Sequence, residues 1–202
     1  KGIELALGFK QNIGPVDWKT TLLWSLNRNR IDQLLPEYTN EELGVTVHLD
    51  EMDVYSLGGA KQRLTVGGSM GDVYVNTMRT DEHGHIWMNS MTGTLETDKN
   101  NYVYAGNTNP KYTLSWRNEF NWKGISLGFM LNARVGGIGV SATQAVMDYY
   151  GVSKTSAEAR DNGGVKVNGQ MIDAQTWYQT IGANGTGYVG SMYVYSLSLI
   201  HI

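Results

Sequence analysis

Hydrophobic and polar residues alternate along residues 112–135, and the pattern predicts two antiparallel strands joined by a tight turn at residues 121–124. Each run has at least ten residues, which exceeds the ~5–6 of ordinary strands and is close to the ~9–11 that cross a bilayer. One face is apolar except for Asn118, with Tyr112, Leu114, Trp116, Phe120 and Trp122 on the first strand and Ile125, Leu127, Phe129, Leu131, Ala133 and Val135 on the second. Aromatic residues gather at the turn end, as in an interfacial belt. The pattern therefore predicts an all-β fold built from membrane β-barrel hairpins.

A second long hairpin is predicted near the start of the chain. Residues 2–12 and 16–27 alternate in the same way around a turn in which Gly14 and Pro15 act as breakers. Thr20 interrupts the apolar face and Leu23 the polar face, so the alternation is good but not strict.

A long segment follows each hairpin. In residues 28–110 shorter β-like runs at 45–47, 63–66 and 72–78 lie between glycine-rich turns. Short turns that alternate with long loops are typical of transmembrane barrels, whose extracellular loops are the long ones. A soluble antiparallel sheet with one buried face is the alternative that the residues leave open.

The second long segment, residues 136–191, predicts extracellular loops that carry short helices. Ser141 and Gly151 bound the first helix, and Thr155 with Glu158 three residues later is a capping-box signature for the second. The remaining signals are Gly163–Gly164 at the end of the second helix, Asp173 as the cap of a third over residues 174–181, Gly182 at its end, and a strand that starts near Tyr193.

Composition narrows the possible functions. The chain is 41% hydrophobic yet has no run of about 18 apolar residues, so no transmembrane helix is predicted. A net charge of −3 and a pI near 5.8 give no electrostatic basis for binding nucleic acid. The absence of cysteine excludes disulfides and thiolate chemistry. The 25 glycines and 12 tyrosines against 3 prolines favour a β-rich chain with many turns.

No motif predicts an enzyme, a metal site or a cofactor. Asp81, Glu82, His83 and His85 have the side chains of a zinc or nickel site, but they surround Gly84 in what reads as a solvated turn. The acidic residues near 41–53 lack the spacing of a calcium loop. No G-x-S-x-G elbow accompanies the serines, and the glycine-rich residues 67–71 lack the lysine of a phosphate-binding loop.

Two groups of residues are candidates for binding. Aromatic side chains of the helical loop, Tyr149, Tyr150, Trp177 and Tyr178, have the flat faces that sugar rings stack on. The alternative is that Tyr149 and Trp177 pack their short helices onto the loop. Arg117, Glu119 and Arg134 are expected to face the lumen, where they would line an import path, contact a plug or pair with one another.

Several short motifs lie along the chain: GIEL at 2–5, GGSMGDVY at 67–74, DEHGHIW at 81–87, GNTNPKY at 106–112, SATQA at 141–145, GVSK at 151–154 and ARD at 159–161. Together, over nearly the whole chain, they resemble SusC/RagA-type TonB-dependent outer-membrane transporters. The resemblance implies a barrel of about 22 strands around a plug, in the outer membrane of a Gram-negative bacterium and in contact with its lipid. It also implies import of oligosaccharides or peptides with a SusD-like surface lipoprotein, energised by the TonB complex.

Within that family, residues 1–196 would be a late barrel segment that lacks the plug, the TonB box and the remaining strands. The start of the chain at Lys1, without methionine or signal peptide, also suggests a fragment. Residues 197–202 leave the family pattern and read as a translated sequencing adapter, an artefact; a genuine strand end is the alternative. A soluble β-sandwich carbohydrate-binding module is the second hypothesis for the chain's function.

Overall fold

The computed structural model describes residues 1–89, 91–183 and 187–201. Numbered along the chain, its strands are β1 Gly2–Ile13, β2 Val16–Asn27, β3 Leu35–Asn40, β4 Val45–Leu49, β5 Glu51–Leu57, β6 Ala60–Thr65, β7 Asp72–Met78, β8 Thr97–Asn107, β9 Tyr112–Trp122, β10 Ile125–Val135, β11 Ile138–Val140, β12 Val165–Val167, β13 Gln170–Ile172, β14 Val194–Ser196 and β15 Leu199–His201. Its helices are α1 Ala142–Tyr149, α2 Lys154–Asp161 and α3 Ala174–Ile181, with a 3-10 helix at Gly190–Tyr193.

Both predicted long hairpins are confirmed. β1 pairs with β2 along their whole lengths, and β9 pairs with β10 in the same way. Each turn has two residues and uses backbone that favours glycine: Gly14 has φ 60°, and Lys123 and Gly124 have φ 44° and 84°. Two-residue turns of this kind match the right-handed twist of the strands they join.

The two hairpins form one five-stranded sheet. β2 pairs antiparallel with β9, from Val16 opposite Trp122 to Ser25 opposite Thr113, and the strand order is β1-β2-β9-β10-β15. β15 falls in the segment predicted to be an adapter artefact, and its backbone pairs with β10. Ile202 lies outside the described residues, and the artefact stays a prediction.

The first long segment forms a second sheet, a four-stranded meander in the order β5-β6-β7-β8, and a separate hairpin of β3 and β4. The predicted runs at 45–47, 63–66 and 72–78 correspond to β4, β6 and β7, whereas β3, β5 and β8 were not predicted. Register shifts interrupt the pairing of β5 with β6 and of β7 with β8, so these strands do not alternate regularly.

The three helices form where the sequence predicts them, with one correction. The Ser141 and Asp173 side chains accept hydrogen bonds from backbone N–H groups at the starts of α1 and α3, as expected of N-caps. The capping box predicted at Thr155 and Glu158 is wrong, because α2 begins two residues earlier. Ser153 is its cap and accepts a 3.0 Å hydrogen bond from the backbone N–H of Ser156.

The buried core lies between the helices and the four-stranded sheet, outside the five-stranded sheet. Its largest cluster comprises Met78, Leu95, Ala145, Val167, Trp177, Ile181, Tyr188, Val189 and Tyr193. Two long-range hydrogen bonds join these parts: the Tyr188 hydroxyl donates to the carbonyl of Leu57 at 2.7 Å, and the Gly190 N–H donates to the side-chain oxygen of Asn76 at 2.7 Å.

The fold is mostly antiparallel β, with 54% of residues in strands and 14% in helices, so the all-β class is confirmed. The strands at residues 1–89, 91–183 and 187–201 form open sheets and no closed barrel. Within those same residues, each helix is too short or too polar to cross a membrane.

Candidate functional site

Four long strands place their hydrophobic side chains on one side of the five-stranded sheet. Residues directly opposite each other in an antiparallel pair project to the same side, and the register aligns Leu7, Leu22, Trp116 and Leu131 in one row across the sheet. We call this side the apolar face; it comprises Ile3, Leu5, Leu7, Phe9, Ile13, Val16, Trp18, Leu22, Trp24, Leu26, Tyr112, Leu114, Trp116, Phe120, Trp122, Ile125, Leu127, Phe129, Leu131, Ala133 and Val135.

The apolar face is exposed on β1 and at the turn end of β10, and it is half-buried on β2. Ile3, Leu7 and Leu127 are 57%, 54% and 64% exposed, and none of the nine residues of the main buried cluster belongs to this face. Soluble monomers rarely expose contiguous apolar patches larger than about 300–600 Å². The apolar face is therefore the largest candidate interaction surface among the described residues.

Aromatic rings cross the turn end of the apolar face from strand to strand. Phe9 meets the edge of Trp18 at 5.7 Å between ring centroids, and Trp18 stacks on Phe120 at 6.1 Å. Phe120 stacks on Phe129 at 6.3 Å, and Trp116 meets the edge of Phe129 at 6.2 Å. These ring contacts connect all four long strands.

Both tryptophans of this aromatic group have hydrogen-bonded N–H groups. Trp18 donates to the side-chain oxygen of Asn118 at 3.2 Å, and Trp116 donates to the Thr20 hydroxyl at 2.9 Å. Asn118 is 1% exposed, and within the described residues its side-chain nitrogen has no hydrogen-bond partner. Thr20 and Asn118 interrupt the apolar sequence pattern because their side-chain oxygens accept hydrogen bonds from the neighbouring indoles.

The opposite, polar face carries the three predicted lumen-facing residues. Arg117 and Glu119 form an ion pair with each other and border a cavity of about 200 Å³ together with Lys19 and Thr21. Arg134 lies near the other end of the sheet, where its guanidinium donates to the backbone oxygen of Thr108 at 2.8 Å. The structure therefore brings Arg117 and Glu119 together and leaves Arg134 apart.

The helical loop contains a pocket of about 170 Å³ between α1, α2 and α3. Three of the four predicted aromatic residues line it: Tyr149, Tyr150 and Tyr178. Trp177 does not, because it is 8% exposed and packs in the main buried cluster. Its burial is what the packing alternative predicts for Trp177.

Sequence reasoning missed the polar side chains of this pocket, Asp148, Ser156, Arg160, Gln175 and Gln179. One signal was available in α1. Asp148 follows the buried Ala145 by three residues, which places a carboxylate on the buried side of an amphipathic helix.

Asp148 is the main electrostatic feature beside the pocket, at 4% exposure. One of its carboxylate oxygens accepts hydrogen bonds from the Gln144 side chain at 2.8 Å and the Thr155 hydroxyl at 3.3 Å. Burial, reinforced by the Asp148 charge, raises the pKa of Tyr193 well above its ordinary value. Burial also raises the pKa of Tyr178, against an opposing hydrogen bond with Thr155, so both phenols stay protonated at neutral pH.

The histidine-rich turn at residues 80–85 is organised around a single carboxylate. Asp81 accepts hydrogen bonds from the backbone N–H groups of His83 and His85, both at 2.9 Å. The bond from His85 is the main reason that the pKa of Asp81 is lowered. In the parts of the chain that the structure describes, no three His, Asp or Glu side chains come together as a metal site.

A scan against protein-family models found no match for this chain, and a search of the curated proteins found no significant similarity.

Proposed function

We propose that this chain is part of an outer-membrane active transporter that imports oligosaccharides or other oligomeric nutrients, acts with a SusD-like surface lipoprotein and is energised by the TonB complex. The apolar face would contact outer-membrane lipid, and the polar face would line the interior of a barrel completed by further strands. In this arrangement Arg117, Glu119 and Arg134 are lumen-facing.

One observation carries the membrane part of the proposal: four strands of 11 or 12 residues share one exposed apolar face and one polar face. A membrane strand of ~9–11 residues has the same alternation of lipid-facing and lumen-facing side chains. The aromatic rings near the turns correspond to the girdle at a membrane interface.

The connections give the proposed orientation. The two-residue turns at Gly14–Pro15 and Lys123–Gly124 lie at the same end of the sheet, because Val16 is opposite Trp122. The four-stranded sheet and the helices are inserted at the other end. Short periplasmic turns and long extracellular loops are typical of these barrels, so the helical loop would face outward and meet the surface lipoprotein.

The alternative, a soluble β-sandwich module, requires two sheets whose apolar faces oppose each other across a closed core. Here the apolar residues of β1 and β10 lie on the same face of one sheet, with β2 and β9 between them. This arrangement favours the transporter over the sandwich.

The test is to measure which face meets lipid. The chain has no cysteine, so single cysteines can be introduced and spin-labelled at neighbouring positions of opposite faces: Leu7→Cys with Ala6→Cys, and Leu131→Cys with Met130→Cys. In lipid vesicles, labels at Leu7 and Leu131 should collide with oxygen, which concentrates in hydrocarbon, and labels at Ala6 and Met130 with a water-soluble nickel chelate.

Each adjacent pair is its own control, since the two labels differ in face and hardly in depth. Equal accessibility within both pairs would contradict the proposal, and labels at Leu7 and Leu131 shielded from both reagents would instead support a closed sandwich core.

A further inference from the structure

The apolar face ends in a pair of cationic residues, at the end of the sheet that is opposite to the two-residue turns. Lys1 lies opposite Arg28, because the backbone nitrogen of each donates to the carbonyl oxygen of the other, at 2.6 and 2.8 Å. The pair adds one step to the ladder of β1 and β2. Side chains alternate along a strand, so Lys1 and Arg28 project to the same side as Ile3 and Leu26, about 7 Å further along the sheet. A hydrophobic row and a charged row are therefore neighbours on one surface.

A cavity of about 770 Å³ joins these two rows to the chain that follows β2. Its lining combines two hydrophobic side chains of the apolar face with three cationic side chains: Ile3, Leu26, Lys1, Arg28 and Arg30. Its volume is in the range of ligand sites, about 300–1,000 Å³. An occupant of this cavity meets hydrocarbon on one side and positive charge on the other.

The backbone on both sides of Arg30 is fastened to the loop between β6 and β7. The side-chain oxygen of Asn29 accepts a hydrogen bond from the Ser69 hydroxyl at 2.7 Å. The backbone N–H of Ile31 donates to the oxygen of Gly68 at 2.9 Å. A segment that is already fixed loses less conformational entropy when a ligand binds, so the two arginines are carried by a preorganised backbone.

The two guanidinium groups are available to an anion. Within the described residues, neither Arg28 nor Arg30 forms an ion pair or a side-chain hydrogen bond. A guanidinium donates two parallel hydrogen bonds to a phosphate, and it is less strongly hydrated than the ammonium of lysine. Two unpaired arginines on one cavity wall therefore favour a phosphate group as the anion.

The two carboxylates that border the cavity do not cancel this charge. Asp72 is 8% exposed, and it already accepts hydrogen bonds, one of them from the Asn107 side chain at 2.8 Å. Asp32 is exposed to solvent. A neighbouring cavity of about 400 Å³ shares Arg28 and adds Lys111, so that four cationic side chains stand against two carboxylates. This excess favours an anionic ligand.

We propose that this cavity binds the phosphate headgroup of an anionic lipid. Arg28 and Arg30 hold the phosphate, Lys1 lies beside them, and the first part of an acyl chain packs along Ile3 and Leu26. A lipid suits the cavity better than a free phosphate ion, because only a lipid also covers the hydrophobic row. The inference rests on the proposed membrane location of the apolar face, and it goes beyond that proposal by assigning one class of lipid to one site.

Native mass spectrometry of the full chain in a non-ionic detergent tests this site. The probes are dioleoyl phosphatidic acid and dioleoylglycerol, which have the same two acyl chains and differ in the phosphate. We expect phosphatidic acid to bind at least about tenfold more tightly, because hydrogen bonds between charged groups are strong. A variant with both Arg28→Gln and Arg30→Gln should bind phosphatidic acid no better than dioleoylglycerol.

The matched control is a variant with both Lys10→Gln and Lys123→Gln. It removes the same charge from exposed positions near the turns, at the other end of the sheet. This variant should bind phosphatidic acid like the wild type. Because the side chains of Arg28 and Arg30 are exposed, the arginine variant should fold, and an unchanged circular dichroism spectrum would verify this.

The proposal is overturned if the wild type binds the two lipids equally, or if the arginine and lysine variants lose binding to the same extent. Displacement of phosphatidic acid by an equal concentration of inorganic phosphate would also overturn it, since the hydrophobic row would then contribute nothing. The face-specific labelling can be performed in phosphatidylcholine vesicles with Arg28 and Arg30 replaced. Failure of the lipid site and failure of the membrane proposal are therefore distinguishable.

Discussion

The indole nitrogen of Trp18 donates a 3.2 Å hydrogen bond to the side-chain oxygen of Asn118, across the boundary between the two long hairpins. Asn118 is almost completely buried on a face that is mostly apolar. This bond and the bond of Trp116 to Thr20 join β2 to β9 by side chains as well as by the backbone ladder.

We expect Trp18→Phe to cost about 1–3 kcal/mol of unfolding free energy, because it leaves the buried Asn118 oxygen without a donor. In an Asn118→Leu background the same change should cost much less, since no buried acceptor remains. Denaturant unfolding in detergent of the wild type, the two single variants and the double variant measures the cost of Trp18→Phe in each background. Equal costs in the two backgrounds would show that the hydrogen bond contributes nothing.

The close approach of Gly59 to the loop around Tyr188 should make Gly59→Ala strongly destabilising. An added Cβ would lie 2.0 Å from the backbone oxygen of Tyr188 and 2.5 Å from the nitrogen of Gly190. We expect a loss of about 3 kcal/mol or more, as in severe overpacking. Gly8→Ala is the matched control, because a Cβ at Gly8 has nothing within 4 Å; thermal unfolding of the two variants should differ clearly.

The start of α2 offers a direct comparison of two capping residues. We expect Ser153→Ala to destabilise the helical loop by about 1–2 kcal/mol, because it removes the cap of the Ser156 N–H. Glu158→Ala, which would break the capping box that the sequence suggested, should cost less than about 0.5 kcal/mol at its exposed position. Hydrogen exchange of the α2 amides separates the two variants, and a larger effect of Glu158→Ala would contradict the assigned cap.

Asp53 should make the four-stranded sheet sensitive to acid. The hydrogen bond from Arg63, at 2.7 Å, lowers the pKa of Asp53 against the opposing effect of burial, and Lys61 lowers it further. A carboxyl group whose pKa is lower in the folded state contributes stability above its unfolded pKa, and the contribution is lost as pH falls through the folded value. The loss therefore begins below about pH 4.

The Asp53 side chain is 40% exposed, so solvent screening limits its contribution to less than about 1 kcal/mol. We expect Asp53→Asn to lower stability at neutral pH and to remove that part of the acid dependence. Unfolding free energies of the two proteins, measured from pH 7 downward, should converge below pH 4. Asp32→Asn serves as the control, since Asp32 is exposed and makes no hydrogen bond or ion pair within the described residues. If the stability curves of the wild type and of Asp53→Asn run parallel over the whole pH range, the prediction is wrong.

The four long strands and their turns could be predicted because their signals are local. Each strand is determined by alternation over about ten residues, and each turn by a glycine at a position where the backbone has positive φ. The helices could be predicted in the same way, from their capping residues. At α2 both Ser153 and Thr155 are good capping residues, and only the backbone geometry distinguishes them.

β8 shows why other strands could not be predicted. It begins with five consecutive polar residues, Thr97 to Asn101, and is a strand because β7 pairs with it across two register shifts. Its structure depends on pairing with residues of β7 that lie about 20 to 35 positions earlier in the chain, and alternation within β8 carries no information about that pairing.

The amino-acid sequence by itself determined that long two-faced hairpins exist, and it identified three of the tyrosines that line the pocket. Only the tertiary structure decided that the two apolar faces merge into one, that Trp177 is buried, and that Asp148 and Arg160 join those tyrosines. The physical reason is the range of the interactions. Alternation and capping act within a few residues, whereas the register of β2 against β9 and the packing of α1 against α3 depend on contacts between distant segments.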